Sequence, residues 1–184
     1  YAIAKISGIK MCESYFRQYG DNFISVMPTN LYGPNDNFDL TSSHVLPALI
    51  RKFHEAKEVK KDFVEIWGTG KPKREFLYVH DLADACVYIL ENLNADELYN
   101  EMKISHINIG FGDDLSIAEL ANVIANIVSY KGDIRYDSSK PDGMLKKLLD
   151  ISRLKALGWQ HSTSLDKGID TTYKWFIENS NRWS

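Results

Sequence analysis

The first 28 residues, YAIAKISGIKMCESYFRQYGDNFISVMP, decide the fold class of this chain. As far as Tyr19, apolar side chains recur at spacings of three and four residues, which predicts an amphipathic helix. Gly20 follows at the position where helices commonly end in a left-handed residue. The segment from Phe23 to Pro28 is short and apolar, which predicts a buried strand. A helix that leads into a buried strand is typical of an α/β protein.

The rest of the chain continues this alternation of helices and strands. The segment from Thr29 to Ser43 is rich in Asn, Asp, Gly and Pro, which predicts a long loop. Further strands are predicted at residues 63–67, 74–79, 107–109 and 134–136. Further helices are predicted at residues 44–56, 82–92, 117–130, 150–157 and 165–179, with N-caps at Ser43, Asp81, Ser116 and Ser164. The predicted fold class is therefore α/β.

Composition and charge exclude several classes of protein. The 184 residues include 22 Lys and Arg against 25 Asp and Glu, and this net charge of −3 argues against a nucleic-acid partner or an anionic membrane surface. Two cysteines are too few for a disulfide scaffold. No apolar run approaches the roughly 20 residues that a membrane-spanning helix needs. We therefore expect neither a nucleic-acid nor a membrane partner.

Motifs for metal and phosphate binding are not convincing. The five histidines do not form a metal-ligand spacing, so no metal site is predicted. Gly110-Phe111-Gly112 lies between a predicted strand and a predicted helix, as in a dinucleotide-binding loop. Leu115, however, occupies the third glycine position, and Asp113 and Asp114 would repel a pyrophosphate. An ordinary strand-to-helix turn is the better interpretation.

A tyrosine and a lysine at the start of the chain offer acid–base chemistry. Tyr1 and Lys5 are four residues apart, so on a helix they lie on the same face, one turn apart. An ammonium group near a phenol favours the phenolate form, so such a pair can donate a proton to a carbonyl that is being reduced. A Tyr–Lys pair at this spacing also occurs by chance on helix surfaces, so the motif needs support from the rest of the chain.

Several further motifs supply that support. The Tyr1–Lys5 pair, Pro28–Pro34 (PTNLYGP) and Arg74–Asp81 (REFLYVHD) together resemble the extended short-chain dehydrogenase/reductase superfamily. A narrower resemblance, to the GDP-L-fucose synthase family within it, rests on four segments: Asp36–Phe38, Ser43–Leu49, Lys140–Gly143 and Lys147–Asp150. The resemblance covers the whole chain. It implies the C-terminal part of a Rossmann-type doubly wound sheet. Residues 1–31, which include the Tyr–Lys helix, would be a remnant of the Rossmann domain. Residues 32–184 would mostly form a smaller α/β substrate-binding domain, with interleaved elements returning to the Rossmann sheet.

The resemblance implies an NADPH-dependent epimerase/reductase that converts GDP-4-keto-6-deoxy-D-mannose to GDP-L-fucose. Tyr1 would protonate the C4 oxygen, Lys5 would hold the nicotinamide ribose, and His44 would be the general acid of the epimerisation at C3 and C5. The implied contacts with NADP(H) are Tyr1, Lys5, Pro28, Thr29, Asn30, Leu31 and His44. The implied contacts with the GDP-sugar are Lys52, Trp67, Arg74, Asp142 and Lys147. Arg and Lys suit a diphosphate, and Trp67 offers a flat apolar surface, although a tryptophan at a strand end can also belong to the core.

The family also uses residues that this chain does not contain. The glycine fingerprint for NADP(H), a triad serine and the epimerisation cysteine belong to an N-terminal Rossmann half, and neither Cys12 nor Cys86 fits the place of that cysteine. We therefore expect this chain to be the C-terminal portion of a longer enzyme and to be inactive alone. The resemblance further implies a cytoplasmic homodimer that associates through the Tyr1–Gly20 helix.

Two other functions remain open at this point. The chain could belong to another nucleotide-sugar enzyme of the superfamily, such as a 4,6-dehydratase or a 4-epimerase, and a preference for UDP or dTDP would favour that alternative. It could also be a non-catalytic binding or interaction module that has kept the fold. A glycine fingerprint in the reading frame upstream of Tyr1 would instead favour an enzyme.

Overall fold

The computed structural model describes residues 1–182, which contain six α-helices and nine short strands. The helices are α1 (Ala2–Tyr19), α2 (Val45–Glu58), α3 (Val79–Asn92), α4 (Ile117–Val128), α5 (Ser152–Ala156) and α6 (Leu165–Glu178). The strands are β1 (Val26–Pro28), β2 (Asn30–Tyr32), β3 (Phe63–Trp67), β4 (Lys73–Arg74), β5 (Phe76–Tyr78), β6 (Ile107–Ile109), β7 (Leu115–Ser116), β8 (Asp133–Asp137) and β9 (Lys146–Lys147). A single π-helical turn spans Glu97–Glu101, and a 3₁₀ turn spans Ser180–Arg182.

These residues divide into two compact units that each draw on three segments of the chain. Unit 1 consists of Tyr1–Thr29, His80–Gly112 and Leu149–Ser162. Unit 2 consists of Asn30–Val79, Asp113–Leu148 and the chain from Thr163 onward. The assignment of a Rossmann remnant to residues 1–31 and of a substrate domain to the rest stays a prediction, and residues 183–184 at its end lie outside the described residues.

Unit 1 is organised around a parallel pair of strands, β1 and β6, in which Val26 is opposite Ile107. Ile107 and Ile109 are fully buried, and α5 packs against their strand. Two side-chain hydrogen bonds fasten the last segment of the unit to α3. The Trp159 indole donates to an Asp84 carboxylate oxygen (2.8 Å), and the Tyr88 hydroxyl donates to the Leu157 carbonyl (2.6 Å).

Unit 2 contains the main hydrophobic core and the remaining strand pairs. β2 pairs with β5 and β3 with β8, both in parallel, while β4 lies between antiparallel β7 and parallel β9. Helix α4 packs against both α2 and α6. The core is completed by large side chains that are essentially inaccessible: Phe38, Leu46, Ile50, Phe53, Leu120, Ile124, Ile169 and Phe176.

Elements with a strong local signal agree with the sequence analysis. Helix α1 ends at Gly20, whose φ of 76° is the left-handed conformation that favours glycine. Strand β3 has the predicted bounds. The capping box before α4 is present, with the Ser116 hydroxyl accepting from the Glu119 amide and the Glu119 carboxylate accepting from the Ser116 amide. Ser164 caps α6 as expected. The parallel pairs and the alternating helices confirm the α/β fold class.

Three expectations about strands were wrong. The strand predicted from Phe23 begins only at Val26, and Phe23 is half exposed. The predicted long loop contains strand β2, which the Asn30 side chain supports by donating to the Glu75 carbonyl (2.7 Å). The strand predicted at residues 74–79 is two strands of different sheets, β4 and β5, which the fully buried Glu75 separates. Its last residue, Val79, already belongs to α3.

Two predicted helix caps were also wrong. The N-cap of α2 is His44 rather than Ser43, and the Ser43 hydroxyl is buried without a hydrogen-bond partner among residues 1–182. Asp81 lies inside the first turn of α3, because β5 runs directly into that helix at Val79. The Asp81 carboxylate instead accepts hydrogen bonds from the amide and the hydroxyl of Ser162 (3.2 and 3.0 Å). This aspartate therefore connects two segments of unit 1.

Candidate functional site

The Tyr–Lys pair lies at the start of α1 in unit 1. Tyr1 is the N-cap of the helix, and the Lys5 amide donates to its carbonyl (3.2 Å). The Lys5 ammonium lies 5.3 Å from the centroid of the Tyr1 ring, so the two side chains occupy the same helix face, as predicted. Tyr1 is 96% exposed, which leaves its phenol free to reach another molecule.

The segment predicted to line the nicotinamide joins the two units. Thr29 is buried and continues β1, since its amide donates to the Ile109 carbonyl (3.0 Å), whereas Pro28 before it is exposed. Asn30 and Leu31 form the start of β2 in unit 2. The side-chain amide of Asn30 donates to the Glu75 carbonyl just before β5, so this donor is engaged within unit 2.

His44 stands at the N-terminus of α2, where its carbonyl accepts the first helical hydrogen bond, from Ala48 (3.1 Å). Its imidazole is exposed and makes no capping bond. The loop that leads to it is fixed by Asp39, whose carboxylate accepts from the amides and hydroxyls of Thr41 and Ser42 (2.6–3.0 Å). These bonds, led by that of the Thr41 hydroxyl, lower the pKa of Asp39 to about 2. A loop held in this way presents His44 in a defined position.

Trp67 is the centre of a cationic cluster in unit 2. The side chain lies at the end of β3, is 67% exposed, and has two ammonium groups at 5.6 Å from its ring, those of Lys52 and Lys140. Lys52 is partly buried and also lies within 3.5 Å of the Glu65 carbonyl. Burial lowers the pKa of the Lys52 ammonium, and the Glu65 carboxylate partly opposes this effect. The tryptophan is therefore a surface feature rather than part of the core.

Asp142 is fastened to the turn that follows Trp67. Its carboxylate accepts from the amide and the hydroxyl of Thr69 (2.6 and 2.7 Å), and these bonds, together with the charge of Lys71, lower its pKa. Gly68, with a φ of 84°, has no room for a side chain because the Asp142 carboxylate occupies that space. The Gly68 amide also donates to the Asp137 carbonyl (2.9 Å). The segment 137–142 thus has a fixed place beside Trp67.

Arg74 and Lys147 are brought together by strand pairing. They are opposite one another in the register of parallel strands β4 and β9. The Nη1 atom of the Arg74 guanidinium donates to the Lys73 carbonyl (2.8 Å). The Nη2 atom lies beside Gly143, 3.9 Å from the position that a Cβ would have on that glycine. Two cations that are 73 positions apart in the sequence therefore become neighbours at one edge of this small sheet.

Comparison with known proteins identifies the family to which this chain belongs. A profile described as the NAD dependent epimerase/dehydratase family matches residues 1–110. The chain belongs to that family. Among individual relatives, GDP-L-fucose synthase of Escherichia coli (strain K12) is 54% identical over 184 residues, which is all of this chain and 57% of the relative. The chain thus spans little more than half the length of this relative.

Solved structures of the family agree in fold. A GDP-D-glycero-L-gluco-heptose synthase from Campylobacter jejuni, crystallised in the presence of NADPH, matches with a TM-score of 0.87 and 40% identity, covering 95% of this chain and 59% of that one. A GDP-L-fucose synthetase from Naegleria fowleri bound to NADP matches with a TM-score of 0.83 and 30% identity, covering 99% and 55%. These similarities confirm the predicted family resemblance and the Rossmann-type fold class.

Within this family member, unit 2 has the composition of a site for an anion with a flat ring. An exposed indole with two ammonium groups beside it, and a paired arginine and lysine on the same unit, suit a phosphorylated ligand with an aromatic or sugar ring. The carboxylate of Asp142, held by Thr69, suits a ligand that also offers hydrogen-bond donors. The five predicted substrate contacts, Lys52, Trp67, Arg74, Asp142 and Lys147, all lie on this unit.

Two residues of this cluster were missed by the sequence analysis. Lys140 was recognised only as part of a motif, although its ammonium lies as close to Trp67 as that of Lys52. Thr69 was treated as part of a turn, although it holds Asp142. The only sequence signal was the position of Lys140 two residues before Asp142, since the contacts themselves depend on folding.

Other kinds of site find no support in residues 1–182. No three His, Cys, Asp or Glu side chains of this part are grouped to hold a metal ion. None of its helices is both long and apolar enough to cross a membrane. The cleft of about 630 Å³ in unit 1, next to Arg17 and His106, includes none of the predicted site residues among its lining.

Proposed function

We propose that this chain supplies the Tyr–Lys pair and the GDP-sugar-binding unit of an NADPH-dependent epimerase/reductase that converts GDP-4-keto-6-deoxy-D-mannose to GDP-L-fucose. The observation that carries the proposal is the exposed indole of Trp67 with the ammonium groups of Lys52 and Lys140 beside it. The similarity to the GDP-L-fucose synthases supports the identity of the substrate.

The cofactor assignment is supported by the N-terminus of α1. Tyr1 is exposed and Lys5 lies 5.3 Å from its ring, an arrangement that fits the nicotinamide end of NADPH. Tyr1, Lys5, Pro28, Thr29, Asn30, Leu31 and His44 would hold that end of the cofactor. When bound, NADPH supplies the hydride that reduces the C4 ketone of the sugar. Two of the solved relatives were studied with NADP or NADPH, which agrees with this choice of cofactor.

The side chains of this chain would manage the protons of the reaction. The Tyr1 phenol donates its proton to the C4 oxygen as the ketone becomes an alcohol, and the Lys5 ammonium stabilises the phenolate that remains. His44 acts as a general acid and returns a proton to carbon during epimerisation at C3 and C5. Its position at the end of an ordered loop, held by Asp39, supports a role that needs a defined direction of proton transfer.

Unit 2 would bind the GDP part of the substrate. Lys52, Arg74 and Lys147 carry the charges that a diphosphate needs, and the Arg74 guanidinium can form two parallel hydrogen bonds to phosphate oxygens. Trp67 would cover one face of the guanine base or the sugar. Asp142, ionised and held in place by Thr69, would accept hydrogen bonds from the ligand. Unit 1 would be the remnant of the Rossmann domain.

A cytoplasmic homodimer completes the proposal. Helix α1 has no buried side chain in this chain, and six of its large apolar or aromatic side chains are exposed, including that of its N-cap: Tyr1, Ile3, Ile6, Met11, Tyr15 and Tyr19. Such a concentration of apolar surface on one helix supports association with a second copy.

The proposal is tested by calorimetric titration of the folded chain with GDP, UDP and dTDP. Saturable binding of GDP, at least about tenfold tighter than that of the other two nucleotides, is the expected result. Selective binding of UDP or dTDP would indicate a 4-epimerase or 4,6-dehydratase instead. If the folded chain binds none of the three, the assignment of the GDP site to unit 2 is wrong.

A further inference from the structure

A nearly buried aspartate lies next to the predicted diphosphate-binding strands. The Asp114 side chain is only 6% exposed, and its two oxygens face the ammonium groups of Lys146 (3.2 Å) and Lys73 (3.7 Å). Oδ2 has no hydrogen-bond partner among residues 1–182, and the Lys73 contact is too long for a hydrogen bond. The carboxylate therefore acts on both lysines mainly through its charge.

These two lysines are neighbours of the predicted substrate contacts. Lys73 is opposite Lys146 in the register of β4 and β9, and the next pair is Arg74 opposite Lys147. Because successive side chains of a strand alternate between faces, the two lysines share one face and the Arg74–Lys147 pair shares the other. Asp114 thus offsets part of the positive charge on one face of a strand pair whose other face is predicted to bind substrate.

Strand β9 is short and lies at the edge of its sheet. It is two residues long, both of them exposed, and it is held by its pairing with β4 and by a backbone bond just before it, from the Lys73 amide to the Leu145 carbonyl (2.8 Å). Without a counter-charge, four cations at two adjacent register positions would repel one another. An acid that lies between Lys73 and Lys146 reduces that repulsion.

We propose that Asp114 is a positioning residue, which keeps β9 in register with β4 so that Arg74 and Lys147 together engage the diphosphate of the nucleotide sugar. The inference rests on the proposed function. It goes beyond that function by assigning a role to an acidic residue that does not itself contact the substrate. An acid near an anion-binding site would ordinarily weaken anion binding through its field, so the two effects have opposite signs.

Asp114→Asn distinguishes these effects when GDP affinity is measured by calorimetry. If Asp114 positions the strands, the variant binds GDP about fivefold or more weakly, although it has one negative charge fewer. If only the field matters, the variant binds GDP more tightly, and the inference is wrong. Asp114→Glu keeps the charge and is expected to restore much of the affinity, which also covers the case in which the Asn variant does not fold.

Asp113→Asn is the matched control. Asp113 is exposed and directly precedes Asp114. Its Oδ1 accepts a hydrogen bond from the Asp114 amide (2.9 Å), and an asparagine would retain this acceptor. The same change of charge at Asp113 should leave GDP affinity unchanged or slightly increased. A loss of affinity equal to that of Asp114→Asn would show that the effect is not specific to the ion pairs and would overturn the inference.

Hydrogen exchange without ligand keeps this inference separate from the proposed function. Asp114→Asn should speed exchange of the Lys146 and Lys147 amides by about tenfold, whereas Asp113→Asn should not. If the wild-type chain fails to bind GDP but β9 loosens in the Asp114 variant, the proposed function is wrong and the positioning of β9 stands. If exchange in β9 does not change, Asp114 does not position this strand.

Discussion

The indole of Trp67 owes its exposure to the alternation of β3. Val64 and Ile66 face the core and are 4% exposed, so Glu65 and Trp67 face outward. Nothing in the core requires a tryptophan at this position. The sequence alone left open whether Trp67 belongs to the core, and the structure shows that it does not. Exposing the apolar indole to water is unfavourable. The two lysines beside it can attract an anionic ligand whose ring would cover the indole.

Replacing Trp67 should therefore affect ligand binding more than folding. We expect Trp67→Ala to weaken GDP binding by about 5- to 150-fold, since stacking of a base on an aromatic side chain contributes about 1–3 kcal/mol. Trp67→Phe should retain most of the affinity. Titration calorimetry measures the effect, and Leu90→Ala in unit 1, at a residue of similar exposure (70%), is the control. Equal GDP affinity of Trp67→Ala and the wild type would remove Trp67 from the site.

Elements differ in how far sequence alone could predict them. Helix α1 with Gly20 and helix α4 with its capping box follow from signals within one segment. Strands β2, β4, β7 and β9 have only two or three residues each, and they exist because distant residues pair, such as Lys73 with Lys146. No local pattern specifies such pairs, so these strands were missed or misjudged. The split at Glu75 has the same cause.

The turn after β3 offers a test of one such long-range connection. Gly68→Ala places a methyl group against the Asp142 carboxylate, and its φ of 84° is unfavourable for alanine. We expect the free energy of unfolding to fall by about 2–4 kcal/mol, and GDP binding to weaken because Asp142 and Lys140 move. Urea denaturation measures the first effect, and calorimetry measures the second.

Gly20→Ala separates backbone strain from the clash. Gly20 has a similar φ of 76° but no atom within 4 Å of the position of a Cβ, so only the conformational cost of about 1 kcal/mol applies. Equal losses of stability in the two variants would show that the contact between Gly68 and Asp142 has no energetic importance. Weaker GDP binding should be confined to Gly68→Ala.

At the scale of the whole molecule, folding brings together residues that the resemblance could only name. The residues of unit 2 that are predicted to bind the ligand come from α2, β3, β4 and the segment 137–147. Family motifs preserve such sets of residues without showing their contacts, so Lys52, Trp67, Arg74, Asp142 and Lys147 could be named in advance. Lys140 and Asp114 could not, because their significance lies in a distance to a residue far away in the sequence.

The exposed surface of α1 predicts that two copies of this chain associate through this helix. Ile3 and Ile6 are 75% and 55% exposed on a helix about 27 Å long, so a second copy could cover both. We expect sedimentation equilibrium to give twice the 21.1 kDa mass of the chain, and the double variant Ile3→Glu/Ile6→Glu to give the single mass. Leu90→Glu introduces the same charge at a residue of similar exposure on α3 and should remain dimeric. A monomeric wild type, or a dimer that persists in the double variant, would exclude α1 as the dimer interface, because two glutamates buried from each copy would oppose association.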